Sequence, residues 1–270
     1  MGSGLRPLGG RIGRVRDAGL HWLNDVLMGT GTLNDTRREL GLAPVGSLEQ
    51  SVRRADRVIF LTSEAFDFTP TSPDPDVVYG GLPIPPGERS PVAWTPPWPD
   101  DGRPAVLLSL STTYMQQEDL LARLVDALGR VDCHALVTTG PGLQARPVAL
   151  VPSNVHVVES APHGAVLPHV DLVITHGGHG TVIRALAGGV PVMVVPISRD
   201  QPDNAARVVH HGVGIKVSKR SSPKTFAAAI QRALTDEALR TRTKAMAERL
   251  APDLGAPKAV ATLEALRRVR

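Results

Sequence analysis

From residue 105 onward the apolar positions alternate between short unbroken runs and longer stretches with helical spacing. Residues 105–110 form a compact apolar run, the pattern of a strand buried on both faces. In 118–128, Leu120, Leu121, Leu124, Val125 and Leu128 share one helical face. Further runs predict strands at 134–137, 155–158, 172–175, 192–195 and 215–217. Helical patterns fall between several of them, most clearly at 181–187 and 204–210. Strand–helix alternation of this kind predicts a parallel sheet covered on both faces. Helices are expected at about 223–234, 237–250 and 258–269, with Pro223 suited to a first helical turn.

Upstream the pattern changes. Eight prolines lie between positions 83 and 104, namely Pro83, Pro85, Pro86, Pro91, Pro96, Pro97, Pro99 and Pro104. Proline fixes φ and removes a donor, so 83–104 reads as an extended interdomain linker. Before it, 33–40 reads as a helix ending at Gly41, a glycine suited to the C-cap. Strands are expected at 58–61 and 77–79. Two or three elements are too few for a second α/β domain, so 1–82 is expected to be a partial one. The complete domain would cover 105–250, and 251–270 would be a C-terminal helix.

Composition narrows the classes. The 270 residues are 42% hydrophobic with a net charge of +4. The basic residues occur in short scattered runs, Arg53-Arg54, Lys219-Arg220 and Arg267-Arg268 with Arg270, which reads as a solvated surface and not a nucleic-acid patch. The single cysteine, Cys133, sits in an apolar run and reads as a small buried side chain. With no disulfide framework and no apolar run near the ~18 residues of a membrane span, a soluble cytoplasmic chain without an integral membrane segment is expected. A truncated first region would expose apolar surface at 58–61, favouring self-association.

The chemistry concentrates between Asp171 and Asn204. The run Leu172-Val173-Ile174-Thr175 leads into His176-Gly177-Gly178-His179-Gly180-Thr181 and then a helix. A glycine-rich turn from strand end to helix start suits an anion: the backbone approaches closely, the first N–H groups lack intrahelical partners, and the dipole favours negative charge. A diphosphate fits, with a side-chain donor on His176 and a hydroxyl on Thr181. A tight turn whose glycines serve packing only is the other reading. A metal site at His176 and His179 lacks a third ligand at suitable spacing. After 192–195, Asp200 and Gln201 place acceptors and donors side by side, as a vicinal diol requires, while Asp203 and Asn204 read as helix N-caps. The hydroxyls of 109–113, among them Ser111 and Thr112, follow the first strand and suit either phosphate contact or capping of the next helix.

These residues, with Gly189-Val190-Pro191 and Asp200-Gln201-Pro202-Asp203-Asn204-Ala205-Ala206-Arg207-Val208, resemble the donor-binding signature of family 1 glycosyltransferases, above all actinobacterial enzymes of secondary metabolism. The resemblance continues in Ala161-Pro162-His163, Val166-Leu167-Pro168-His169 and Asp171. It runs back through Leu107-Leu108-Ser109-Leu110 to Leu33-Asn34-Asp35-Thr36-Arg37. It implies an α/β Rossmann-like parallel sheet of GT-B type, a complete C-terminal donor domain plus a partial N-terminal domain. It also implies inverting transfer of a hexose from a UDP- or dTDP-sugar to a small-molecule acceptor, a natural product or lipid, with no metal and no cofactor beyond the nucleotide-sugar co-substrate.

By position, the resemblance implies that His176 binds the diphosphate with Gly178, Gly180 and Thr181, and that Asp200 and Gln201 hold the sugar hydroxyls. Ala161 and His163 would lie near the base, and Ser111 or Thr112 would face the cleft. Arg184 stands in the base and ribose region where many members have glutamate, and arginine accepts no hydrogen bond. Ser160 stands where many have an aromatic residue. The family's general base is a histidine in the N-terminal domain, where the match is incomplete. His21 reads as an ordinary helix histidine, so no catalytic residue is expected in this chain. A catalytically inactive module that still holds nucleotide sugar is the alternative, and lipid-linked N-acetylglucosamine transferases and nucleotide-sugar epimerases are the related GT-B classes.

Overall fold

The computed structural model describes residues 5–8, 10–27, 29–68, 74–84, 94–110, 117–140 and 150–268. Its centre is a six-stranded, wholly parallel sheet formed by β3 (Ala105–Ser109), β4 (His134–Thr138), β5 (Val155–Val158), β6 (Leu172–Thr175), β7 (Val192–Val194) and β8 (Gly214–Lys216). The spatial order is β5-β4-β3-β6-β7-β8. Winding therefore runs outward from β3 to one edge, returns, and runs outward from β6 to the other. The point of reversal lies between β3 and β6, which pair Val106 with Leu172 and Ser109 with Thr175. Crossovers of this type leave a crevice at the carboxyl ends of the two central strands.

The alternation of side chains along each strand divides the core. Val106, Leu108, Leu172 and Ile174 point to one face, with the apolar side of α4 (Glu118–Leu128) and Phe226 and Ile230 of α8 (Pro223–Thr235). Leu107, Val173, Val192 and Val194 point to the other, against α6 (His179–Ala187), α7 (Gln201–His211) and α9 (Glu237–Leu250). Residues of β3, β4 and β6 are buried throughout. Unbroken apolar runs in the sequence thus correspond to strands covered twice. Expected strands agree with the observed ones to within a residue at each end.

Three sequence expectations are corrected. The region before the prolines holds five elements, not two or three: α1 (Gly10–Leu27), α2 (Thr30–Glu39), α3 (Leu48–Val52), β1 (Val58–Phe60) and β2 (Val77–Tyr79). Ile12, Val15, Trp22 and Val26 of α1 are exposed, so these apolar residues form no core. The short α3 is set by Ser47, whose Oγ accepts from Gln50 N at 3.0 Å. Next, α6 begins at His179 and not at Thr181, because Gly178 is already the cap. Finally, α7 begins at Gln201 with Pro202 in its first turn, which places Asp203 and Asn204 inside the helix and removes their reading as N-caps. By contrast, Gly41 takes the left-handed conformation expected of a C-cap, with Leu42 N donating to Arg37 O at 2.8 Å.

The small parallel pair β1–β2 is tied to the main sheet by the end of the chain. Leu82 N donates to Asp253 O at 2.7 Å and Gly255 N to Leu82 O at 3.0 Å. Ser63 Oγ donates to Asp253 Oδ2 at 2.6 Å, with Ser63 wholly buried. Helix α10 (Pro257–Arg268) then lies on β2, its Ala259 N donating to Gly80 O at 3.0 Å. Among the proline-rich residues, Ile84 is buried and Trp94 and Trp98 rest on the second core cluster. Phe60 and Leu61 at the end of β1 are exposed.

Candidate functional site

The turn after β6 lies at the winding reversal. His176 leaves the strand, Gly177 turns with φ of +95°, and Gly178 caps α6 with no side-chain hydrogen bond. Gly177 is required twice over. Its φ suits residues without Cβ, and a Cβ there would come within 2.6 Å of Val194 Cγ1. Gly178 has an ordinary extended backbone, but a Cβ on it would come within 2.7 Å of His176 Nε2. Its missing side chain is the space in which the imidazole lies. In the α-helical ladder Val182 N donates to Gly178 O at 3.1 Å. The N–H groups of His179, Gly180 and Thr181 precede that bond and have no intrahelical acceptor.

Burial pushes the His176 imidazole below its ordinary pKa, and the charge of Asp200 opposes the shift in part. At neutral pH the ring is therefore a neutral donor. Its Nδ1 is buried without a hydrogen-bond partner, while Nε2 lies over Gly178. His179 is likewise lowered, first by burial, with a backbone hydrogen bond to Leu61 acting against the shift. Its ring lies 6.2 Å from that of Phe66.

The loop after β7 supports this turn. Gln201, 2% exposed, uses Oε1 to accept from Ile197 N and Ser198 N at 2.8 and 2.9 Å. Asn204, also buried, donates from Nδ2 to Gly177 O and to Asp200 Oδ2, both at 2.9 Å. One amide thus fixes the glycine turn and orients the exposed Asp200 carboxylate. Capping statistics hid this support of the candidate site by Asn204: the signal was its spacing of one helical turn from Asp200. Nothing in the sequence pointed to Asp67, which accepts from Arg207 Nε at 2.7 Å across 140 positions.

The structure brings together His176, Gly178, Gly180 and Thr181 at the carboxyl end of β6 and Asp200 and Gln201 at that of β7. Ala161 and His163 follow β5 on the segment crossing back toward β6, where His163 opens the short α5 (His163–Val166). Arg184 lies one turn into α6, with Nη1 donating to Gly180 O at 3.3 Å. A cavity of about 260 Å³ lies beside α5 and α6, lined by Ile84, Gly164, Leu167, Arg184, Gly188 and Leu254 among others. Ser111 and Thr112 lie outside the described residues. Among the described residues no cluster of three side chains suits a metal ion, and no helix is long and apolar enough to cross a membrane.

A six-stranded doubly wound sheet with a glycine turn and uncapped helix start at its reversal is an α/β unit of the kind whose ligands sit at the winding reversal. Comparison with known proteins makes the assignment specific. Residues 122–266 match the erythromycin biosynthesis protein CIII-like C-terminal domain, and the chain belongs to that family. It is 34% identical over 274 residues to 4'-demethylrebeccamycin synthase of Lentzea aerocolonigenes, covering 96% of this chain and 62% of that protein. It is also 34% identical over 143 residues to demethyllactenocin mycarosyltransferase of Streptomyces fradiae, covering 53% of this chain and 31% of that one. The chain thus spans less than two thirds of either relative. The calicheamicin glycosyltransferase CalG4 superposes with a TM-score of 0.71 over 90% of this chain and 59% of its own, at 24% identity. That likeness shows the fold, which is GT-B.

Proposed function

We propose that this chain holds a nucleoside diphosphate sugar, UDP- or dTDP-linked, at the carboxyl ends of β6 and β7, and supplies the donor side of hexosyl transfer to a small-molecule acceptor. The observation that carries the reading is the turn from β6 to α6. Three amides without intrahelical acceptors, a neutral imidazole donor and a helix dipole converge at the winding reversal. The relatives support it, since they are named as sugar transferases, demethyllactenocin mycarosyltransferase and O-mycaminosyltylonolide 6-deoxyallosyltransferase among them. In this reading the diphosphate docks on the turn, Asp200 receives sugar hydroxyls, and Ala161 and His163 border the base. Gln201 acts through the loop that its carbonyl oxygen holds. No metal is used.

The test is calorimetry of UDP and dTDP binding. The parent is expected to bind both, and His176→Ala to bind about ten-fold more weakly, the loss of one hydrogen bond to an anion. Equal affinity of the two proteins would reject the phosphate role. The coverage of 62% of a relative favours a second, narrower reading for this chain taken alone, donor binding without turnover. Sugar transfer by the purified chain to a small-molecule natural-product acceptor would reject that narrower reading and leave donor binding standing.

A further inference from the structure

The glycine turn follows the carboxyl end of β6. At the opposite end of the sheet, Ala105, His134 and Asp171 stand at or just before the starts of β3, β4 and β6. The length of β6 separates the two ends by roughly 15 Å, at about 3.3 Å per residue. A cavity of about 320 Å³ opens at this amino end, between the residues leading into β3 and those leading into β6. Pro96, Trp98 and Pro99 give it apolar walls, and Asp100, Asp101 and Asp171 give it carboxylates. The half-buried indole of Trp98 is held from two sides. It stacks on the ring of His134, with centroids 5.8 Å and planes 10° apart, and meets Trp94 edge-on at 6.0 Å. His134 is buried, with Nε2 2.9 Å from Asp101 Oδ1. Trp94 in turn lies 5.6 Å from the ring of His169, which lines the same cavity.

The charges in this cavity do not balance. Arg103 is bound to Asp101 through Nε and Nη2, at 2.9 and 2.7 Å, and its Nη1 lies 3.8 Å from Asp132. Arg103 first, and His134 after it, hold the Asp101 carboxyl well below the usual carboxylate range. Among the described residues, Asp171 accepts from Ala105 N at 2.9 Å and meets no cation, and Asp100 meets none either. A chain with a net charge of +4 thus keeps two uncompensated carboxylates beside an indole in one cavity. We propose that this cavity is a second binding site, for a small organic cation that carries an ammonium or guanidinium group on an apolar body. The indole and the prolines take the apolar body, and the π-system of Trp98 adds its own attraction for a cation. Asp100 and Asp171 receive the N–H groups. Among the described residues no three acidic or imidazole groups converge as metal ligands do. Carboxylates spread along a cavity wall suit a cation with an extended body instead.

Phenethylamine, 2-phenylethanol and phenylacetate share one apolar body and differ in charge. Each is titrated calorimetrically into the parent, Asp100→Asn, Asp171→Asn and the double variant, with Glu248→Gln on α9 as control. Quenching of tryptophan fluorescence in a Trp22→Phe background reports on Trp94 and Trp98, the other two tryptophans of the chain. The amine is expected to bind and to quench, the alcohol to bind about ten-fold more weakly, and phenylacetate to give no signal. Each single variant should melt with the parent, weaken the amine by about three- to five-fold, the scale of one exposed charge pair, and leave the alcohol unchanged. The Asn at 171 keeps a carbonyl oxygen for Ala105 N, so only the charge is removed. Equal affinity for amine and alcohol, or undiminished amine binding in the double variant, would overturn the inference. So would the absence of both heat and quenching at millimolar amine.

Discussion

Replacing Gly177 and Gly178 one at a time by alanine separates the two demands that one short turn meets. At Gly177 the backbone is left-handed, which costs a Cβ-bearing residue about 1–2 kcal/mol. The new Cβ would also press on Val194 Cγ1 at 2.6 Å and Gln201 O at 3.2 Å, overpacking that costs about 1–3 kcal/mol. The sum, roughly 2–5 kcal/mol, should lower the melting temperature by about 5–15 °C in a chain of this size. At Gly178, φ of −60° and ψ of 133° suit alanine. The only close contacts are with the imidazole, Nε2 at 2.7 Å and Cε1 at 3.0 Å. Gly178→Ala should therefore melt within about 2 °C of the parent, yet bind UDP about ten-fold more weakly because the imidazole is displaced. The assays are thermal unfolding followed by circular dichroism and calorimetric UDP titration on the same preparations. Unchanged UDP affinity in Gly178→Ala, or a parent-like melt in Gly177→Ala, would refute the division of roles.

Two further outcomes follow from the same geometry. Asn204→Ala should cost about 1–3 kcal/mol in urea unfolding, because it leaves Gly177 O without its side-chain donor and Asp200 without its orienting partner; a loss under 0.5 kcal/mol would contradict the assigned network. The second outcome concerns pH. His176, His179 and His211 are each held below the ordinary imidazole value, with burial the largest cause. Below about pH 6.5 the unfolded chain binds more protons than the folded one at these positions. Their stabilising contribution is present above that pH and is lost as the pH falls through the folded values. The melting temperature should drop between pH 7 and pH 5, and a rise over that interval would reject neutral buried rings.

The sequence by itself determined the parallel sheet and the glycine turn at its centre. Doubly covered strands must be apolar at every position, which makes runs such as Val106–Leu108 and Leu172–Ile174 legible without coordinates. A glycine turn between strand and helix likewise announces itself, because few other residues adopt φ of +95°. The tertiary structure alone decided which long-range partners complete the site. Asn204 reads as a capping residue until its amide is seen on Gly177 O, 27 positions away. The exposed stripe of α1 and the closure of Ser63 on Asp253 across 190 positions were equally invisible. Local pattern encodes what a residue needs from its immediate neighbours, such as burial or a backbone angle. It does not encode which distant donor meets which acceptor, because that depends on how the layers are stacked.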